Sequence, residues 1–257
     1  MIILLFLAAA IGGGLNAVAG GGSFLTLPAL IFAGVSPVVA NATSTLALWP
    51  ASISRTFAYR GDIKTSRRWL VVLGTTSVAG GLAGAQLLVR TSDSSFLRLL
   101  PWLMFIAAAT FTFGNRLRPQ PAATPASASH RLESGGAWHP SMLGIVVVQL
   151  IIAAYGGYFG GGMGIMMLAT LALAGMTNIH EMNGLKALLG VSINGLALLT
   201  FVISGDIQWK YGLTMATGGI VGGYSTAAFA RKVDQRHVRA FVIVVGWGMT
   251  AYFFWRR

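Results

Sequence analysis

The chain has 257 residues, of which 55% are hydrophobic and 9% are charged, and its mean hydropathy is +0.71. Soluble domains usually carry about 25% charged residues, so this composition excludes an ordinary soluble protein. The absence of cysteine excludes a disulfide framework and a thiolate metal site. The formal net charge is +12, but the basic residues stand in short segments between apolar runs. Because topology signals of membrane proteins have this distribution, we expect contact with membrane lipid and no binding of nucleic acid.

Eight apolar segments approach the roughly 20 residues that a transmembrane helix needs. In chain order they are residues 2–19, 39–59, 69–89, 96–113, 142–159, 183–204, 211–230 and 240–255. Two shorter segments, residues 24–33 and 165–174, each follow a glycine cluster and are typical of half-helices or re-entrant segments. The first segment lacks the basic start of a cleaved signal, so we expect it to be retained as a span.

A pattern of glycine and asparagine residues occurs twice in the chain. The first copy is Gly20-Gly21-Gly22, Gly34, Asn41 and Gly61-Asp62-Ile63, and the second is Gly160-Gly161-Gly162, Gly175, Asn183 and Gly205-Asp206-Ile207. Duplicated hydrophobic segments are typical of secondary transporters, in which two related halves meet around a site at the membrane midplane. The sequence therefore predicts an all-α polytopic membrane protein with two related halves, each of four long helices and one short broken or re-entrant helix.

The two halves are joined by residues 116–140, which are rich in proline and in small and polar residues and cannot bury a core. We therefore divide the chain into a first transmembrane repeat (residues 1–115), a linker (116–140) and a second transmembrane repeat (141–257). If both short segments cross the membrane, the halves are inverted, and the Arg and Lys residues outside the membrane divide eleven to five between the two faces. If the short segments return to the side of entry, the halves are parallel and the division is ten to six. The sequence leaves both arrangements open.

The two glycine clusters are the leading candidates for a binding site. Broken backbone in the hydrocarbon core is costly unless it lines a cavity, and the helix that follows offers free N–H groups and a positive dipole end to an anion. The candidate substrate-binding residues are Gly20, Gly21, Gly22, Ser23, Asn41, Thr43, Ser44, Gly160, Gly161, Gly162, Asn183, Lys186 and Asn194. Close helix packing is the alternative for the clusters, and it is the reading we favour for Gly80-Gly81 with Gly84 and Gly218-Gly219 with Gly222.

The polar candidates have alternatives of their own. Asn41 and Asn183 could be helix caps, because asparagine is a preferred capping residue. Lys186 stands about one turn into an apolar segment, where an ammonium group is expensive unless it is paired, hydrated or functional. Its alternatives are snorkelling to the interface and pairing with Glu181. Asn194 follows two turns later on the same helix face, where interhelical hydrogen bonding is the commoner use.

Two stretches carry a resemblance to a known family. They are Ala19-Gly20-Gly21-Gly22-Ser23-Phe24 with Pro28, Gly34 and Ala40-Asn41-Ala42-Thr43-Ser44, and Phe159-Gly160-Gly161-Gly162-Met163-Gly164 with Gly175, Asn183 and Lys186. At these residues the chain resembles the sulfite exporter TauE/SafE family of membrane permeases. The resemblance implies a multi-pass carrier of the inner (cytoplasmic) membrane for a small sulfur-containing or organic anion, coupled to an ion gradient.

The leading hypothesis is therefore a secondary transporter of a small anion such as sulfite, with a proton or another ion as coupling partner. A passive anion channel or a small organic-acid carrier is the alternative. We expect no enzyme and no cofactor, because the chain lacks a cysteine nucleophile, a phosphate-binding loop and histidines at metal-site spacing. The sequence does not indicate the exact substrate, the direction of transport or the oligomeric state.

Overall fold

A computed structural model of the chain describes residues 1–18, 20–114, 142–229 and 235–256. These ranges form ten α-helices and contain no strand. The helices are α1 Ile2–Val18, α2 Ser23–Phe32, α3 Pro37–Tyr59, α4 Arg67–Val89, α5 Asp93–Phe113, α6 Met142–Tyr158, α7 Met163–Leu173, α8 Ile179–Ser204, α9 Trp209–Phe229 and α10 Gln235–Trp255. The predicted all-α class is confirmed. The predicted linker, residues 116–140, lies outside the described residues, and the division into domains stays a prediction.

Four helices of the described part are long and apolar enough to cross a membrane: α4, α5, α8 and the His237–Trp255 portion of α10. α2 and α7 are short apolar helices, as predicted, with 10 and 11 residues. α1 and α6 have 17 residues each, one fewer than the predicted segments 2–19 and 142–159. Large apolar side chains such as Ile203 and Val244 cover the outside of the helices. The chain is a multi-pass membrane protein.

Glycines allow α4 and α9 to approach their neighbouring helices at backbone distance. A side chain at Gly222 of α9 would collide with the carbonyl oxygen of Ala10 in α1. A side chain at Gly84 of α4 would collide with the carbonyl oxygen of Ala154 in α6. The small-residue spacing in both helices therefore serves close packing, as predicted.

Pairs of contacts along each interface give the relative directions of the helices. For α2 and α10 the pairs are Gly21 with Val242 and Phe32 with Phe253. For α5 and α10 they are Phe111 with Arg239 and Trp102 with Phe254. For α5 and α7 they are Ala107 with Gly162 and Gly114 with Ile165. α2 and α10 run in the same direction, as do α5 and α7, whereas α5 and α10 run in opposite directions. The chain reverses between α1 and α2, where Thr26 packs beside Gly12, and between α6 and α7, where Ile152 and Met166 line the same pocket, so α6 runs opposite to α1. Inverted halves would have this arrangement, although their relation as a repeat stays a prediction.

α2 is buried deeply inside the helix bundle. Phe24 is 1% exposed, and its ring packs edge to face on that of Phe111 in α5 at a centroid distance of 5.8 Å. Leu27 and Leu30 are fully buried on the same short helix. This packing holds α2 against its neighbours, so the break in the helical backbone that precedes α2 has a defined position.

Candidate functional site

Two breaks in the helical backbone frame the site. Between α1 and α2, Gly20 has a φ of +88°, and between α6 and α7, Gly160 and Gly162 have φ angles of +82° and +79°. Left-handed backbone favours glycine, because other residues place a Cβ atom against the following carbonyl oxygen. The N–H groups of Phe24 in α2 and Ile165 in α7 donate to the carbonyl oxygens of Gly21 and Gly162, whereas those of Ser23 and Gly164 make no such backbone bond within the described residues.

A cavity of about 70 Å³ lies between the two breaks, with polar groups from both predicted halves in its wall. One water needs roughly 10–15 Å³ of such space, so the cavity has room for several waters or a small anion. Six of the predicted site residues line it, namely Gly20, Ser23, Ser44, Gly160, Lys186 and Asn194. The structure therefore brings residues from both glycine clusters to one cavity.

The other seven predicted residues are not among those lining this cavity. Gly21, Gly22, Gly161 and Gly162 serve the turns and their packing, since a side chain at Gly22 would collide with the carbonyl oxygen of Gly12. Asn41 is buried, and its Nδ2 donates to the carbonyl oxygen of Tyr158, 2.9 Å away. Thr43 is also buried, and its Oγ1 accepts from the backbone N–H of Gln208. The seventh residue, Asn183, contacts Lys186.

Neither asparagine caps a helix, so the capping alternative is wrong for both. α3 begins at Pro37, and Asn41 lies inside its second turn. α8 begins at Ile179 with Asn178 as its cap, and the Asn178 side-chain oxygen accepts from the backbone N–H groups of His180 and Glu181. The apolar pattern begins two residues after the start of α3 and four residues after the start of α8, so it did not locate either helix start.

Lys186 is the only charged side chain among the described residues that line the cavity. It is half-buried, and its Nζ donates to Oδ1 of Asn183 over 3.0 Å. Its aliphatic stem lies along the first turn of α7, since a Cβ at Gly164 would be 3.4 Å from the Lys186 Cδ. Glu181 accepts a hydrogen bond from Oγ1 of Thr65 at 2.7 Å, and its predicted pairing with Lys186 stays a prediction.

Neutral hydrogen-bonding groups complete the wall. Asn194 lies on α8, with its Oδ1 3.9 Å from the position a Cβ would take at Gly160. Ser44 shares a 2.6 Å hydrogen bond with Thr26, and Nδ2 of Asn16 donates to Oγ of Ser52 over 3.2 Å. These hydroxyl and amide groups offer directional contacts without adding charge.

Sequence reasoning missed several lining residues: Asn16, Thr45, Ser52, Met163, Gly164 and Gly190. Asn16 is the one polar residue in α1, and that signal could have found it. Ser52 lies seven residues after Thr45, on the same helix face, and could have been found from that spacing. Met163 and Gly164 follow the second glycine cluster directly, but nothing in their side chains distinguishes them from packing residues.

The helix dipole ends and the charged side chain that face the cavity within the described residues are positive. Each helix N-terminus is equivalent to roughly half a positive charge, and the Lys186 ammonium adds a full one. Nothing in the described residues brings three or more His, Cys, Asp or Glu side chains together as a metal site.

A multi-pass helical bundle with a polar cavity between two broken helices is the architecture of a membrane transporter. The chain belongs to the Sulfite exporter TauE/SafE family of membrane transporters, whose family model matches residues 5–253. The resemblance seen in the glycine stretches is thereby confirmed.

Bacterial relatives agree with this class over nearly their whole lengths. A probable membrane transporter protein of Haemophilus influenzae is 26% identical over 255 residues, covering 98% of this chain and 93% of the relative. The probable membrane transporter protein YfcA of Escherichia coli K12 is 29% identical over 254 residues, covering 96% and 87%. The probable membrane transporter protein ORF9 of Sinorhizobium sp is 28% identical over 248 residues, covering 95% and 89%. No solved structure gives a significant match.

Proposed function

We propose that this chain is a secondary carrier that moves a small anion, a sulfur oxyanion or organosulfonate such as sulfite, across the cytoplasmic membrane. The observation that carries the proposal is the meeting of two helix N-termini and one lysine at a single cavity. Together they present about two units of positive charge, which suits an anion with one or two negative charges. The family name supports a sulfur oxyanion as the first candidate.

The size of the cavity favours a compact anion. A volume of about 70 Å³ admits several water-sized groups, which is the scale of an anion with a central atom and a few oxygens. Backbone N–H groups at the starts of α2 and α7 would bind the anionic oxygens, and Ser23 and Asn194 would add hydrogen bonds. Lys186 would supply the full charge. Gly21, Gly22, Gly161 and Gly162 would shape the turns that hold these N–H groups in place.

Alternating access would come from movement of one predicted half against the other around the cavity. α2 and α7 are candidates for the moving contacts, because each carries one wall of the cavity on a short helix. Coupling to a proton or another ion gradient is part of the proposal and is supported by the sequence resemblance.

Reconstitution into proteoliposomes tests this function. The substrates are sulfite, thiosulfate, methanesulfonate and two small carboxylates, each measured with and without an imposed proton gradient. Saturable sulfite uptake that rises with the gradient is the expected result. A conductance that does not saturate would establish a channel, and uptake of carboxylates alone would establish an organic-acid carrier. A folded protein that moves none of these anions would refute the proposal.

The orientation in the membrane follows from the helix directions and the positive-inside rule. α3 and α9 run in the same direction, since Gly219 lies against Ala47 and Gly223 against Ala51. The N–H of Val38 at the start of α3 donates to Asp93 at the start of α5, so the ends of α3, α5 and α9 lie on one face. With inverted halves, the sequence segments after these ends belong to the face with eleven of the sixteen basic residues that lie outside the membrane. We propose that this face is cytoplasmic and that both chain termini lie on the opposite side.

A further inference from the structure

Asn183 is the one polar contact of Lys186 whose geometry is described, yet Asn183 does not line the cavity. We propose that Asn183 is a positioning residue, whose carboxamide oxygen holds the Lys186 ammonium in place without adding a negative charge beside it. This inference rests on the proposed function and identifies the residue that positions the charged group of that same site.

The two residues are placed for this contact by helix geometry. They are three positions apart on α8, so their side chains share one helix face. Nζ of Lys186 and Oδ1 of Asn183 are 3.0 Å apart, within the range of an ordinary hydrogen bond. Asn183 has no capping duty, since Asn178 performs it at the start of α8. Capping, the common structural role of an asparagine near a helix start, therefore does not explain the Asn183 side chain.

The lysine is held at two places along its length. The Lys186 stem lies beside Gly164 in the first turn of α7, and its head rests on Asn183. Lysine is a long flexible side chain, and holding it before the ligand arrives reduces the ordering cost of binding. The ammonium is thereby fixed relative to the N-terminus of α7, where the anion is proposed to bind.

The chemical nature of the holding group decides the charge of the site. An amide oxygen accepts a hydrogen bond without carrying a charge, so Asn183 itself cancels none of the positive charge of Lys186. A carboxylate in the same position would form an ion pair and remove most of the attraction for an anion. The other predicted half has no equivalent pair, because Ser44 stands three residues after Asn41 and Asn41 donates to Tyr158 instead. The charge and its holder thus belong to one side of the cavity.

Sulfite binding to the purified full-length protein, measured by calorimetry, tests the inference. We expect Asn183→Ala to weaken binding by about threefold to tenfold, the effect of losing one charge-assisted contact that orients the lysine. Asn183→Asp should weaken binding by more than tenfold while keeping the melting temperature, because the ion pair holds the lysine but cancels its charge. Asn183→Gln, which keeps the carboxamide, should fall between the alanine variant and the wild type. Thr200→Ala is the matched control on α8, since the Thr200 hydroxyl bonds only to the carbonyl of Leu196 in its own helix.

A double-variant comparison separates positioning from a structural role. If Asn183 acts through Lys186, Asn183→Ala in a Lys186→Met background adds no further loss of sulfite binding. Sulfite binding by Asn183→Asp equal to that of the wild type would overturn the inference, as would an equal further loss in the Lys186→Met background. If the wild type binds none of the anions tested, the proposed function itself fails. If the wild type binds sulfite and the Asn183 variants bind it equally well, only the positioning role fails.

Discussion

Gly160→Ala should impair anion binding by more than its effect on stability explains. Gly160 has a φ of +82°, and left-handed backbone costs a non-glycine residue roughly 1–2 kcal/mol. The added methyl group would lie 3.3 Å from the carbonyl oxygen of Gly156 and 3.9 Å from Oδ1 of Asn194. At 3.9 Å the methyl group would only touch Asn194, but it would take up space in the cavity wall, so we expect the loss of about one neutral hydrogen bond to the ligand, worth about 0.5–1.5 kcal/mol, or roughly twofold to tenfold in affinity.

Gly205→Ala provides a matched control for the backbone strain. Gly205 ends α8 with a φ of +80°, and no atom lies within 4 Å of the position of its Cβ. Both variants should therefore lose similar stability, about 2–4 °C of melting temperature for each kcal/mol in a chain of this size. Sulfite affinity and uptake should fall only for Gly160→Ala. Equal losses of uptake in both variants, or unchanged affinity in Gly160→Ala, would refute the placement of the ligand beside the second break.

Lys186→Met should keep the fold, because methionine is a good helix former of similar length. It should weaken sulfite binding by about 1–3 kcal/mol, and Lys186→Arg should retain more of the binding than Lys186→Met does. Unchanged sulfite affinity of Lys186→Met in calorimetry would show that the lysine side chain only snorkels to the membrane interface. Gly84→Val and Gly222→Val should each destabilise the protein by at least the 1–3 kcal/mol typical of overpacking, because the new side chain meets a backbone carbonyl that cannot rotate away. A melting temperature within about 2 °C of the wild type would contradict that packing. A reactive tag at the N-terminus of the protein in whole cells should be labelled by a reagent that cannot cross the membrane, and labelling only after the membrane is opened would contradict the proposed orientation.

The helices could be predicted from the sequence because apolar segments bounded by glycine, proline and charged residues are a strong local signal. All ten predicted segments form helices within a few residues of the expected ends. The starts of α3 and α8 lie two and four residues before the predicted ones, because Pro37 opens α3 and Asn178 caps α8, which brings His180 and Glu181 into its first turn. Helix directions could not be decided, because charge counts on loops differ too little between the two arrangements.

The candidate site was predictable in outline and not in detail. Glycine clusters in apolar segments indicate broken backbone, and Lys186 stands out as a charge in an apolar helix. Which side of a helix faces the cavity depends on tertiary packing, so the burial of Asn41 and Thr43 and the exposure of Asn16 to the cavity could not be derived locally. The contact between Asn183 and Lys186 follows from a spacing of three on a helix, but only the structure shows that Asn183 is not a cap.

A structure determined with bound selenite would show whether the anion binds in the cavity between α2 and α7. Selenite has the shape and charge of sulfite, and its selenium atom scatters X-rays anomalously, so its position can be found without assumption. We expect a selenium peak in the cavity between Ser23 of α2 and Gly164 of α7, within reach of the Lys186 ammonium. The peak should be displaced by sulfite and lost in Lys186→Met. If selenium binds only outside the cavity, beside arginine and lysine residues at the surface, although the same protein transports sulfite, the proposed binding site is wrong.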